Sequence, residues 1–180
     1  MKEIESDIKS YLVNKKITNI TCFNMNDSYL DFEQKSMWVI DGGIQMDTDN
    51  GTFGFGWNYE QEGFDYVLDK TIDTILGEAP AYEVDLIRNS GLVTLIGSEI
   101  SDVEFEWDFY QELDENGALK EEKIYIPVLL LLKFRSNDFL QLALIDYEIQ
   151  EDPFNMVNPK FDLTGELLIS HNTRIKITKN

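Results

Sequence analysis

Cysteine, histidine and positive charge are all scarce in this chain, and each scarcity removes a class of explanation. Cys22 is the single cysteine, so an intrachain disulfide and a thiolate zinc site within one chain are excluded, and a reducing compartment fits. His171 is the single histidine. Imidazole-rich metal centres and most nucleophile–base pairs therefore have no second member, and His171, followed by Asn172-Thr173, is expected at a solvated turn. Glycine-rich phosphate loops, the Gly-x-Ser-x-Gly elbow and zinc-binding helix motifs are missing as well. No cofactor, metal ion or catalytic residue is expected, and the chain is read as a non-enzyme.

Long hydrophobic runs are also lacking. The longest, Ile124 to Leu132, is less than half the length of a membrane helix. Residues Met1 to Asp7 interleave acids where a signal peptide needs an apolar stretch. These features predict a cytoplasmic protein with no membrane partner.

Lys and Arg number 15 against 34 Asp and Glu, for a net charge of −19 over 180 residues. The excess is shared by the two halves of the chain, which excludes an acidic tail on a neutral domain. So negative a surface repels nucleic acid and anionic lipid and attracts cationic partners. With 43% apolar and 12% aromatic residues, the chain has the means to bury a core, and its length suits a single globular domain over 1–180.

The apolar pattern predicts an α+β fold that is predominantly antiparallel β, as a sandwich or strongly bent sheet. Its centre is a hairpin, Ile126–Phe134 and Phe139–Ile145, around the polar turn Arg135-Ser136-Asn137-Asp138. Ile4, Ile8, Tyr11 and Leu12 recur at helical spacing and predict an N-terminal helix over 2–14. Phe64, Val67, Leu68, Ile72, Ile75 and Leu76 do the same for a middle helix over 64–76, with Gly77 at its end. Period two predicts strands at Ile17–Phe23, at Tyr29–Phe32 as its return, at Met37–Ile40, and on both sides of the Asn50-Gly51 turn. Further strands are expected at Leu92–Ile96, Phe161–Ile169 and Arg174–Ile177, with a loop at 153–160. Residues 78–91 fit a short helix or a strand equally.

Residues 17–60 and 100–170 share short patterns in one order, such as Val39-Ile40-Asp41 with Leu144-Ile145-Asp146. An internal pseudo-repeat of two β-meanders would account for them.

One strand carries the strongest functional signal. Val103, Phe105, Trp107 and Phe109 alternate strictly with Asp102, Glu104, Glu106 and Asp108, so four large apolar groups share one face and four carboxylates the other. Like charges on one strand face repel. Tyr110, Glu112, Asp114 and Glu115 continue the acidic stretch into a loop around Asn116-Gly117. Asp102, Glu104, Glu106, Asp108, Tyr110, Glu112, Asp114 and Glu115 are therefore the expected contact surface for a basic protein partner.

An immunity-type inhibitor that neutralises a basic bacterial toxin is one concrete form of such a module, since negative charge speeds capture of a positive partner. The alternative is a small-ligand-binding β domain or carboxylate-based hydrolase with an aromatic cleft of Trp38, Phe53, Phe55 and Trp57. A second copy of the chain remains open as a partner.

Overall fold

The structure is a computed structural model that describes all residues except 26–31, 35, 59–62, 79–80, 85–90, 113, 115, 152–153 and 179–180. In chain order the elements are α1 (Lys2–Leu12), β1 (Ile17–Asn24), β2 (Phe32–Gln34), β3 (Met37–Ile40), β4 (Gly43–Thr48), β5 (Gly51–Asn58), β6 (Gly63–Leu68), α2 (Asp73–Leu76), β7 (Tyr82–Val84), a 3-10 turn at Gly91–Leu95, β8 (Ile100–Tyr110), β9 (Ile124–Phe134), β10 (Phe139–Glu151), β11 (Phe154–Phe161) and β12 (Glu166–His171).

The strands form two sheets, ordered β6-β5-β4-β1-β7 and β2-β3-β12-β10-β9-β8, with β11 also paired to β10. All these ladders are antiparallel. The α+β class with an N-terminal helix, one other short helix and mostly antiparallel sheet is thus the observed one. One apolar cluster joins the two sheets: Ile20, Ile44, Met46, Phe53 and Phe55 from the first meet Trp38, Leu130, Leu142, Leu144 and Ile169 from the second. The Ile8 and Leu12 side chains of α1 complete it. Cys22 lies wholly buried in β1, paired with Ile44 of β4 on one side and Val84 of β7 on the other.

The central hairpin forms as its pattern predicts, with Leu130 opposite Leu142 and Leu132 opposite Leu140. So does the hairpin at Asn50-Gly51, where Thr48 pairs with Gly51. Between them, the chain passes from β3 to β4, and so from one sheet to the other, at Asp41-Gly42. A Cβ on Gly42 would lie 2.3 Å from the Phe23 carbonyl oxygen, so only glycine lets the two backbones approach this closely. This corner also distinguishes the two halves of the pattern match: Ile40 and Ile44 lie in different sheets, whereas Ile145 and Ile149 lie within β10.

The middle helix shrinks to Asp73–Leu76, and residues 63–68 form an edge strand instead. The helical spacing combined residues that face opposite ways. Phe64, Tyr66 and Leu68 join the inner core, while Val67 joins Ile72, Ile75 and Leu76 in a small outer cluster. That cluster covers the bare glycine face of β5: a Cβ on Gly54 would meet Val67 Cγ2 at 2.8 Å, and one on Gly56 would meet Ile72 Cδ1 at 3.0 Å.

Other expectations are corrected too, among them the strand over Phe161–Ile169, which a turn at 162–165 divides between the end of β11 and β12. Phe32 pairs with Val39 of β3 and not with β1, while Tyr29 and Leu30 lie outside the described residues. Leu92–Ile96 is no strand: Leu92 and Leu95 are buried three residues apart, and Val93 and Ile96 are exposed, as a 3-10 turn requires. The expected loop at 153–160 is mostly β11, which accommodates Pro159 at a bulge where Asn158 adopts positive φ. Residues 172–178 form an irregular strap whose single bridge among the described residues is a parallel one, Lys160 to Thr178, where a final strand was expected over Arg174–Ile177.

The strap crosses the second sheet over Gln141. This side chain, only 1% exposed, accepts from the Ile175 amide and donates to the Ile175 carbonyl, both at 3.0 Å. One buried amide thus plays the part of a strand neighbour.

Candidate functional site

β8 and β9 make a long ribbon, and only part of it lies on the rest of the sheet. β10 pairs with β9 from Lys133 back to Leu129, opposite Ala143. From Ile145 onward, the same side of β10 is taken by β11, since Ile145 pairs with Phe161 there and with Glu166 of β12 on its other side. The sheet therefore forks. At the fork, Val128 is an extra residue in β9, because Glu106 pairs with Leu129 and Trp107 with Pro127. A bulge redirects a strand, and Pro127 has no amide to offer a further neighbour.

Below the fork, the acidic strand is neutralised from within. Lys9 of α1 lies 3.3 Å from Asp102, and Lys133 of β9 pairs with Glu104. The cations missing from the strand's own sequence arrive from neighbouring elements. The apolar face is not uniformly buried either. Val103 is, but Phe105 and Trp107 sit under α1, with the Trp107 indole donating to Glu5 at 2.7 Å and Lys9 Nζ 6.0 Å from the Phe105 ring centre.

Above the fork, the rings face solvent. Phe109 is 38% exposed, Tyr110 41% and Tyr125 39%. The Phe109 and Tyr125 ring centres are 5.7 Å apart, and Lys123 Nζ stands 3.7 Å over the Phe109 ring, a cation–π contact. Glu106 is exposed, and Asp108 accepts the Phe109 amide at 2.8 Å. In the loop, Glu112 pairs with Lys120. Asp114 closes the turn by accepting the Asn116 and Ala118 amides. Those bonds, the Ala118 amide first, hold its carboxyl below the usual range. Glu115 lies outside the described residues.

The expected aromatic cleft is core instead. Trp38, Phe53 and Phe55 are at most 1% exposed, and Trp57 packs edge-on against Phe64 at 5.5 Å. A different cleft, of about 400 Å³, opens where the fork leaves room: Phe64, Asp65 and Tyr66 of β6 face Tyr110, Ile124–Pro127 and Leu163. No signal in the sequence marked it, because β6 read as a helix. Asp65 is the one carboxylate among its described lining residues. Carboxylate-based glycoside hydrolysis needs two facing acids, which this lining does not supply.

His171, expected in solvent, ends β12 at 5% exposure. Its Nδ1 lies 2.5 Å from where a Cβ on Gly91 would stand. Burial lowers its pKa, and the nearby Asp138 charge opposes that shift. No cluster of three potential metal ligands occurs among the described residues, and no helix among them is long and apolar enough to cross a membrane.

Compared with protein-family models, curated proteins and solved structures, the chain matches none.

Proposed function

We propose that this chain is a non-enzymatic acidic protein-binding module that uses the outer half of the β8–β9 ribbon to hold a basic protein. The observation that carries this reading is the ring pair Phe109 and Tyr125, with centres 5.7 Å apart and each more than a third exposed on a ribbon that has left its sheet. Aromatic side chains grouped in solvent are the usual core of a protein contact. Around them, the stretch from Glu99 to Lys123 holds ten acids and two lysines, which form a charged rim and steer a positive partner.

Ion pairing along the inner ribbon supports a contact surface nearer its outer end. Asp102 and Glu104 are engaged by Lys9 and Lys133 on the part of the ribbon flanked by β10, so they support the ribbon, while Glu106, Asp108, Tyr110 and Glu112, the last paired with Lys120, lie nearer its outer end and make up the contact set. An immunity-type inhibitor of a basic bacterial toxin is the concrete form we favour, since fast capture is what a net charge of −19 offers.

Immobilised protein, incubated with a lysate of the source organism at low and then moderate salt, tests this reading. One basic protein should be retained by the wild type and lost by Phe109→Ser/Tyr125→Ser, with a weaker loss for Glu106→Gln/Asp108→Asn. Retention of the same protein by both variants would return the ribbon to a purely structural role.

A further inference from the structure

Two strand edges face the cleft beside the fork, and among the described residues each has a ladder on its far side only. β6 is the terminal strand of the five-stranded sheet. The Asp69 amide donates to the Thr52 carbonyl at 2.7 Å. By the two-residue period of an antiparallel ladder, residues 63, 65 and 67 then aim their backbone groups at β5, and Phe64, Tyr66 and Leu68 aim theirs outward. Across the cleft, Ile124–Pro127 of β9 pairs with β8, while β10 reaches β9 only from Leu129.

The outward amide of Tyr66 has an intramolecular substitute for a strand neighbour. It donates to Asp65 Oδ1 at 2.7 Å, where the carbonyl of an added strand would stand, and Asp65 Oδ2 also accepts from Asn58 Nδ2 at 3.4 Å. The same arrangement recurs on terminal strand β8, where the Phe109 amide donates to Asp108. A charged side chain that caps its own edge discourages indiscriminate pairing.

The cleft is also matched to positive charge. The Tyr66 hydroxyl titrates above its ordinary value because of burial first, and then because the carboxylates of Asp65, Asp7 and Glu3 act on it. Its floor is apolar, from Phe64, Ile126 and Leu163. An extended segment alternating basic and apolar residues satisfies both, since alternate side chains of a strand point opposite ways.

We propose that this cleft is a strand-addition site, in which an extended basic–apolar segment of the partner protein hydrogen-bonds to the outer edge of β6 at Phe64 and Tyr66. It rests on the reading of this chain as a binder of a basic protein, and it assigns the surface that reads the partner's backbone. The incoming carbonyl takes over the Tyr66 amide from Asp65, and the released carboxylate meets a lysine or arginine of the segment. The intervening apolar side chains enter the cleft.

The probe is a labelled peptide of alternating lysine and valine, about eight residues long so as to span an edge strand, followed by fluorescence anisotropy. Two isomers are N-methylated, one at the lysine amides and one at the valine amides. Both keep every charge and side chain, but only one set of amides faces β6. One isomer should bind like the parent, and the other at least about tenfold more weakly. Amide exchange at Phe64 and Tyr66 should slow when the parent peptide binds, and Asp65→Lys should weaken binding without unfolding an edge strand.

Failure of the peptide to bind, equal binding of both methylated isomers, or unchanged exchange would overturn the strand-addition site. So would a concentration-dependent increase in mass abolished by Asp65→Lys, which would assign the edge to a second copy of this chain. A natural partner captured equally by wild type and Asp65→Lys, yet lost on Phe109→Ser/Tyr125→Ser, would overturn the cleft while sparing the acidic module. A natural partner indifferent to both changes would overturn both.

Discussion

From Ile100 to Glu106 the β8–β9 ribbon is flanked by β10, and from Trp107 to Tyr110 it rests on α1 and then on solvent. The residue types differ little between these two regions, since both alternate carboxylates with large apolar groups. Their surroundings differ completely. The inner region meets a lysine at Asp102 and another at Glu104, and a leucine layer for its apolar face. Beyond Trp107, which α1 shelters, the rings of the outer region are more than a third exposed, because Val128 and Pro127 divert β9 from its neighbour. One bulge therefore separates a structural half from an exposed half within a single hairpin.

Substitutions on the two sides should break this symmetry of sequence. Leu132→Ala, at a wholly buried inner position, is expected to cost about 2–5 kcal/mol in a denaturant titration, as cavities in well-packed cores do. Gln141→Leu removes both bonds to the Ile175 backbone and should cost about 1–3 kcal/mol, because two main-chain groups lose their partner. Amide exchange at Ile175 should accelerate in that variant, while Tyr66 and Phe109 stay unchanged.

His171 supplies a smaller, pH-dependent effect on the inner side. Its folded pKa lies below the ordinary value of 6.5 because of burial, so below that value the unfolded chain binds a proton that the folded chain does not. Stability is therefore fully present above pH 6.5 and declines as pH falls below it, by less than about one proton's worth of slope. His171→Gln should remove that decline from a series of thermal melts. Asp138, whose pKa is lowered first by its bond from Ser136 and then by that from Asn172, should govern a separate loss that begins only below pH 3.8.

The smallest stability effect belongs to the outer half. Phe109→Ser/Tyr125→Ser should change the midpoint of unfolding by less than about 0.5 kcal/mol, as surface substitutions do, while abolishing capture of the partner. A large destabilisation would mean that the rings support the fold, and the contrast between the halves would collapse.

The sequence made the paired strands legible where apolar residues alternated, ran continuously or flanked a turn signal. The alternation from Val103 to Phe109, the apolar hairpin around Arg135–Asp138 and the Asn50-Gly51 turn each specify their element locally, and each formed. It misled at 64–76, because Val67 and Ile72 cover glycines on the outside of β5 while Phe64 and Leu68 fill the inside. Two strand faces, read as one, have helical spacing. The acidic strand was legible as a face but not as two regions. Its counter-charges, Lys9 and Lys133, lie 93 and 29 residues away along the chain, and the fork depends on β11 pairing with β10. The cleft at Asp65 and Tyr66 was illegible for the same reason as β6 itself.

Cys22 gives the protein an internal clock. Its thiol is pushed up to about 12, by burial first and then by the charge of Glu83, so at neutral pH it is almost entirely protonated and inert toward disulfide reagents. Wedged between β4 and β7, it can be labelled only when the five-stranded sheet parts. The labelling rate by an aromatic disulfide reagent should therefore count those rare openings directly, and a partner strand bound along β6 should slow the count without touching the sulfur.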